Sequence, residues 1–190
     1  MATSRENKTI SNFKAALIGG GARPNLFEVE LTTLPAGISW DADNFRYMCK
    51  AAQLPASTIA QIDVPFRGRI LKVAGDRTFE TWTITVINDT DFMIRSAMEK
   101  WMNTINKLDD GTGIQNPVDY QTDAMVHQLG RDGSVLRSYK FKSIFPTNIS
   151  TIDLSYETTD TIEEFTVEMQ VHYWEAFKGS SSSANGEDIQ

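Results

Sequence analysis

Residues Lys72–Asp89 read K-V-A-G-D-R-T-F-E-T-W-T-I-T-V-I-N-D, and this stretch decides the fold class. It predicts a turn at Gly75-Asp76, followed by a β-prone run over Thr78–Ile87. Side chains alternate along a strand, so one face is formed by Trp82, Ile84 and Val86. The other face is formed by three threonines, Thr81, Thr83 and Thr85. A strand of this kind predicts a β-rich building block whose polar face meets water or another subunit.

Four further segments show the same alternation of apolar and polar residues. They predict strands over Asn25–Leu34, Phe45–Ala51, Ser134–Phe145 and Glu164–Trp174. An Asp-Gly turn precedes the third of them at Arg131–Gly133. The fourth is the most regular, with an apolar face and a polar face that includes Glu164, Thr166, Glu168 and Gln170. A further short strand is predicted at Ile152, Leu154 and Tyr156. The sequence therefore predicts a mainly β fold.

One helix is predicted after the central strand. Apolar residues recur at helical spacing from Ile94 to Leu108, and Thr90 or Asp91 is suited to cap the N-terminus. Before the central strand, the sequence predicts a long inter-strand loop over Leu54–Arg69 with a short helical segment at Ser57–Ile62, and Phe66–Val73 is either a strand or an extended loop. The apolar residues of the long loop either form an interface or tuck under the sheet, and the residues alone leave both interpretations open.

Composition excludes several classes of protein. The chain has 190 residues, 41% of them hydrophobic, which is enough for one folded domain. Its net charge is −7 and no Lys/Arg cluster is present, so a surface that binds nucleic acid tightly is not expected. No apolar run is long enough for a membrane span, and a signal peptide is not expected. The single cysteine, Cys49, is expected to be a buried apolar residue.

No motif for chemistry is complete. His127 and His172 lack neighbours at metal-ligand spacing, and Gly19–Gly21 lacks the Gly-Lys-Ser/Thr of a phosphate loop. Asp109-Asp110 lacks the further acidic residues of a calcium loop. We therefore predict no catalytic, cofactor-binding or metal-binding residue and no enzyme activity. An enzyme or ligand binder on a β scaffold is kept as the alternative class.

The ends of the chain differ from its middle. Residues 1–22 predict a flexible N-terminal arm, 23–178 a β domain, and 179–190 a disordered acidic C-terminal tail.

Five stretches, in order, show a resemblance to a known family. They are A-R-P-N-L-F-E-V-E from Ala22, C-K-A with L-P-A over Cys49–Ala56, V-A-G-D-R-T-F with W-T over Val73–Thr83, P-T-N from Pro146, and Y-W-E from Tyr173. Together they cover most of the chain between Ala22 and Glu175. On these residues the chain resembles the tail tube protein of contractile-tailed bacteriophages.

The resemblance implies a fold and a function. The fold is a β-barrel or sandwich subunit with one flanking helix and a long inter-strand loop. Six subunits form a ring, and rings stack into the tube through which viral DNA is ejected. The implied partners are other copies of the chain, the tail sheath, baseplate, tail terminator and tape-measure proteins, and viral DNA passing through the lumen, without a membrane. The implied location is the virion tail, assembled in the host cytoplasm, and the closest alternative is the tube of a bacterial contractile injection system.

The resemblance also implies where subunits meet. Its inter-ring contact uses the loop between the second and third strands, so the predicted contact residues are Leu54, Pro55, Ile59, Ile62, Phe66, Arg67 and Arg69. The polar strand faces are predicted to line the lumen, and the residues chosen for it are Glu164, Thr166, Glu168 and Gln170.

Overall fold

The computed structural model describes residues 10–17, 21–31, 33–35 and 37–178. In chain order its elements are α1 (Ile10–Ala16), β1 (Phe27–Leu31), α2 (Ala42–Met48), β2 (Cys49–Ala52), β3 (Ser57–Phe66), β4 (Arg69–Phe79), β5 (Trp82–Ile87), α3 (Met93–Ile105), α4 (Pro117–Tyr120), β6 (Thr122–Leu129), β7 (Val135–Ile149), β8 (Glu164–Gln170) and β9 (Tyr173–Lys178). The predicted acidic tail lies outside the described residues. Part of the predicted arm forms α1, which has no buried residue.

Seven strands form one antiparallel sheet. Its order is β1-β6-β7-β8-β5-β2, and β9 pairs with the first half of β7. The long strand β7 joins two halves: it pairs with β9 up to Lys142, with β6 up to Ile144, and with β8 from Phe145 onward. Ser143 has a φ of 54°, which bends the strand between the halves. Pairing among the described strands does not close into a barrel, so the mainly β fold is confirmed as a folded-over sheet.

The two halves of the sheet enclose one hydrophobic core. The rings of Trp82 and Phe141, one from each half, are stacked with centroids 4.7 Å apart. Helix α3 contributes Ile94, Met98 and Trp101 to the same cluster. The predicted apolar face of the central strand is confirmed, because Trp82, Ile84 and Val86 are fully buried.

The second predicted strand, Phe45–Ala51, is wrong in its first part. Residues Ala42–Met48 form helix α2, and only Cys49–Ala52 is a strand. The carboxylate of Asp41 accepts hydrogen bonds from the backbone N–H groups of Asp43 and Asn44, and this cap starts a helix where alternation alone favoured a strand. Cys49 is buried as expected.

The predicted long loop over Leu54–Arg69 is also wrong. Its main part is strand β3, which forms a hairpin with β4, and the predicted helical segment at Ser57–Ile62 lies within β3. The turn lies at Arg67-Gly68, where both residues have positive φ, and not at Gly75-Asp76, which lies inside β4. Two positive φ values are the pattern of a type I′ hairpin turn.

Three smaller predictions change at element ends. Phe92, in the left-handed region and without a side-chain cap, precedes α3, in place of the predicted Thr90 or Asp91. The predicted strand Glu164–Trp174 divides into β8 and β9. Residues 151–163, expected to include a short strand, contain none.

Candidate functional site

The β3–β4 hairpin is the largest exposed element of the described chain. It forms a separate two-stranded sheet, and every residue of β3 is exposed. At its base, the N–H of Glu80 donates to the carbonyl of Ala56, and the Phe79 ring meets the Trp174 ring edge-on with centroids 6.4 Å apart. Two strands alone are at best marginally stable in water, so a partner surface is expected to cover this hairpin.

The outer half of the hairpin has one apolar and one polar face. Cross-strand pairing places Ile62 opposite Val73 and Val64 opposite Leu71. On the other face Lys72 Nζ lies 3.4 Å from Asp63 Oδ1. The side chains of the apolar face are exposed, and they are Ile62, Val64, Phe66, Leu71 and Val73. This set is named the apolar hairpin face below.

The turn of the hairpin is basic. The Arg67 guanidinium lies 5.3 Å from the centroid of the Phe66 ring, and Arg69 is paired with Phe66 across the strands. The register shift between the Ile59–Arg77 and Gln61–Ala74 pairs marks a bulge in β4 at Gly75-Asp76, opposite Ala60. At Gly75 a Cβ atom would lie 3.0 Å from the Ala60 carbonyl oxygen, so a side chain there would crowd the bulge.

The predicted inter-ring residues divide among four positions. Ile62 and Phe66 lie on the apolar hairpin face, and Arg67 and Arg69 lie at the turn. Ile59 is exposed on the opposite face, and Leu54 is exposed before the hairpin. Pro55 is buried, so it offers no surface for a contact. Sequence reasoning missed Val64, Leu71 and Val73, although Ile62, Val64 and Phe66 already alternate with polar or proline residues.

A second surface lies on the side of the sheet that faces away from the core. Cross-strand pairing places Thr83 of β5 opposite Glu168 of β8, and Thr85 opposite Thr166. The threonine face of the central strand and the polar face of β8 are therefore one continuous surface. Its predicted members, Glu164, Thr166, Glu168 and Gln170, all lie along it.

This second surface is mostly neutral and polar, with two carboxylates, Glu164 and Glu168. Lys50 forms an ion pair with Glu164, and no Lys or Arg occurs in the sequence between Lys142 and Lys178. Neighbouring Asn148 is paired with Glu168 from the β7 side. The surface is named the polar sheet face below, and it includes Thr83, Thr85, Glu164, Thr166, Glu168 and Gln170.

Two further titratable groups, Arg46 and His127, have structural partners. Arg46 forms ion pairs with Glu28, at 2.9 Å, and with Glu30. His127 Nδ1 lies 2.8 Å from Ser138 Oγ, which holds the imidazole between β6 and β7. The contacts of Arg46 join α2 to β1, and the contact of His127 joins β6 to β7.

Two groups have shifted pKa values with a clear structural cause. Burial raises the pKa of Cys49 to about 12, so its thiol is neutral and unreactive. Burial alone would raise the pKa of Asp123, but hydrogen bonds from Lys142 Nζ, at 2.6 Å, and from the Ser143 N–H outweigh it and hold that pKa below its usual value. Asp123 thereby holds the Ser143 bend in place.

Within the described ranges, no group of three or more His, Cys, Asp or Glu side chains is placed to hold a metal ion. Of the helices described, none has the length and apolar character to cross a membrane.

Comparison with known proteins identifies the family. The model of a family described as phage tail tube protein matches residues 22–176. The tail tube protein gp19 of Enterobacteria phage T4 is 36% identical over 158 residues, covering 83% of this chain and 93% of that protein.

Solved structures show a similar fold. One is the tube-terminating cap of the anti-feeding prophage, with a TM-score of 0.60 and 17% identity, covering 94% of this chain and 99% of that one. Another is from the sheath–tube complex of the extracellular contractile injection system PVC, with a TM-score of 0.56 and 13% identity, covering 90% and 99%. The chain belongs to the phage tail tube protein family and is a structural protein of the virion tail, as its sequence resemblance predicted.

Proposed function

We propose that this chain forms homohexameric rings that stack into the inner tube of a contractile phage tail, and that it does so without catalysis. The observation on which this depends is the apolar hairpin face. Five apolar side chains project from an element that has little contact with the rest of the described chain. A contiguous apolar patch of this kind marks a protein interface.

The hairpin is proposed as the contact between rings. Ile62 and Phe66 bury their side chains on the adjacent ring, together with Val64, Leu71 and Val73. Arg67 and Arg69 at the turn make polar contacts, and Leu54 and Ile59 contact the same ring at the hairpin base. Pro55 contributes indirectly, since its burial fixes the chain just before β3. A contact between two different surfaces repeats along an axis and gives an open-ended stack.

The polar sheet face is proposed to line the lumen. Glu164, Thr166, Glu168 and Gln170 present hydroxyl, amide and carboxylate groups, and these do not neutralise phosphate. Viral DNA therefore passes without binding. Strand edges at β1, β2 and β9 remain unpaired among the described strands, and they are available to join neighbours within a ring.

The partners follow from the same assembly. The solved relatives with this fold come from baseplate, sheath–tube and terminator assemblies. We infer that this tube contacts sheath, baseplate and terminator proteins of its own tail, and that a tape-measure protein occupies the lumen before DNA. A tube of a bacterial injection system is the second candidate, but that likeness is of fold alone, whereas the phage relative is 36% identical.

The test is a pair of variants with matched charge. Phe66→Asp places a carboxylate on the apolar hairpin face, and Leu108→Asp places one at another highly exposed apolar residue, outside the hairpin. We expect Phe66→Asp to yield single rings in negative-stain electron microscopy, since burying an unpaired charge is strongly unfavourable. Leu108→Asp is expected to yield tubes like those of the unmodified chain.

Circular dichroism of both variants checks that the core is intact. If Phe66→Asp forms normal tubes, the hairpin is not the contact between rings. A stable monomer from the unmodified chain at high concentration would contradict the tube assignment altogether.

A further inference from the structure

Residues 151–164, named the acidic loop here, lie at the end of the sheet opposite to the hairpin. The loop leads into β8, whose first residue, Glu164, is paired with Ile87, the last residue of β5. Next to it the Asn88 N–H donates to the Glu163 carbonyl at 2.9 Å, and Asn88 Nδ2 donates to Glu163 Oε2 at 3.0 Å. The loop is thereby fixed where β5 ends.

The hairpin leaves from the other end of the same strand. The N–H of Gln53, just before the hairpin, donates to the Thr83 carbonyl at 3.1 Å, and β4 is followed directly by Trp82 at the start of β5. Strand β5 spans roughly 17 Å at about 3.3 Å per residue. The hairpin and the acidic loop therefore occupy opposite ends of the subunit along the direction of β5.

The acidic loop exposes apolar side chains among negative charges. Leu154 is 80% exposed and Ile162 is 72% exposed, and Tyr156 lies fully in solvent. A cleft of about 370 Å³ is lined by loop residues, including Asp153 and Glu163. The loop has five acidic residues and no basic one, and they are Asp153, Glu157, Asp160, Glu163 and Glu164.

The hairpin has the complementary character. Within β3, β4 and their turn, four residues are basic and two are acidic, although the chain as a whole has a net charge of −7. The basic groups at and near the turn, Arg67, Arg69 and Lys72, accompany two exposed apolar side chains at the tip, Phe66 on the apolar hairpin face and Ile70 on the opposite face. An apolar tip with positive charge suits an apolar loop with negative charge.

We propose that the hairpin turn of one subunit docks on the acidic loop of a second copy in the next ring. The two surfaces belong to one chain but lie at opposite ends of it, so a single copy cannot join them and a stack of copies can. Phe66 and Ile70 contact Leu154, Tyr156 and Ile162. Arg67 and Arg69 pair with the carboxylates around the cleft. This inference rests on the proposed function and adds the receiving surface to it.

Charge exchange tests the pairing. The hairpin variant Arg67→Glu with Arg69→Glu, and the loop variant Asp153→Lys with Glu157→Lys, each place like charges in the contact. Each variant is expected to reduce the fraction of protein that sediments as tubes at least tenfold. Combining all four substitutions restores opposite charges and is expected to restore tubes. Lys107→Glu with Arg131→Glu is the matched control, because it makes the same charge change on exposed residues elsewhere.

Crosslinking tests the same contact without altering charge on the loop. Arg67→Cys with Leu154→Cys, treated with a short bismaleimide, is expected to give a ladder of covalent multimers on a denaturing gel. Leu108→Cys replaces Leu154→Cys in the control, since Leu108 is also highly exposed and lies outside the acidic loop. The native Cys49 is buried and does not compete.

The outcomes separate the two proposals. Rescue by the fourfold variant, or a ladder specific to Leu154→Cys, supports the pairing. Loss of tubes in the hairpin variant, with neither rescue nor ladder, overturns the acidic loop as receiver while leaving the hairpin as the ring contact. Intact tubes from the hairpin variant overturn the charge pairing with the acidic loop, whereas the hairpin as the ring contact is tested separately by Phe66→Asp.

Discussion

Cys49 shows how a single buried side chain links folding to pH. Its thiol lies in the core, where burial raises the pKa from 9.0 to about 12. The folded state therefore keeps the proton while the unfolded chain loses it. The stability from this group is complete below pH 9 and is lost as the pH rises from 9 towards 12.

This gives a residue-scale prediction. Between pH 8 and pH 10.5 the unmodified chain is expected to lose about 2 kcal/mol more unfolding free energy than Cys49→Ala, which has no thiol to ionise. Urea unfolding at a series of pH values measures the difference. Lysines and tyrosines titrate in both proteins and cancel in the comparison, so parallel curves would show that Cys49 is not desolvated.

Residue patterns were a good guide wherever packing follows the alternation of side chains. Val29, Trp82, Phe165 and Val167 are buried as their spacing predicts. Alternation could not separate strand from helix at Phe45, because the deciding interaction is the Asp41 cap and not the apolar pattern. Polar and apolar faces of β8 were predictable, but the pairing of Glu168 with Thr83 needed the sheet order.

At the scale of elements, the β3–β4 hairpin was the element that the sequence predicted least accurately, and it is the most informative feature of the fold. Its strands are β-prone and alternate, but Pro65 and the polar base favoured a loop. The turn at Arg67-Gly68 was missed because glycine commonly adopts a positive φ, as at Gly68, whereas arginine rarely does. The hairpin forms a sheet separate from the core sheet of the described chain. A hydrophobic pattern that indicates packing on the subunit's own core therefore could not predict it.

Hydrogen exchange can show whether assembly completes this element. In isolated subunits, amides of β3 and β4 are expected to exchange close to the rate of a frayed segment, because two exposed strands are marginally stable. In tubes the same amides are expected to be protected at least tenfold more.

The control lies within the same molecule. Strands β5 and β8 are in the core sheet, so their amides are expected to be protected in both states. Equal exchange of β3 and β4 before and after assembly would mean that no partner covers the hairpin.

At the scale of the whole molecule, three surfaces point in different directions. The hairpin and the acidic loop lie at the two ends of β5, whereas the polar sheet face lies along its side. Axial contacts at the two ends and a channel along the side are compatible with a stack of rings. The family resemblance suggested the hairpin segment and the polar sheet face from sequence, but only the sheet order places the three surfaces relative to one another.

The channel assignment leads to a prediction on assembled tubes. Glu168→Lys replaces one carboxylate with an ammonium group in each subunit, so every ring of six gains a belt of cations on the polar sheet face. If that face lines the channel, a short DNA duplex is expected to bind inside such tubes and become resistant to nuclease, whereas unmodified tubes retain little DNA.

The control is Glu99→Lys on α3, which makes the same charge change on an exposed residue that is not on the polar sheet face. Its bound DNA is expected to remain open to nuclease, and DNA binding by both variants is expected to fall steeply with added salt. Equal nuclease resistance in Glu168→Lys and Glu99→Lys tubes would place the polar sheet face outside the channel.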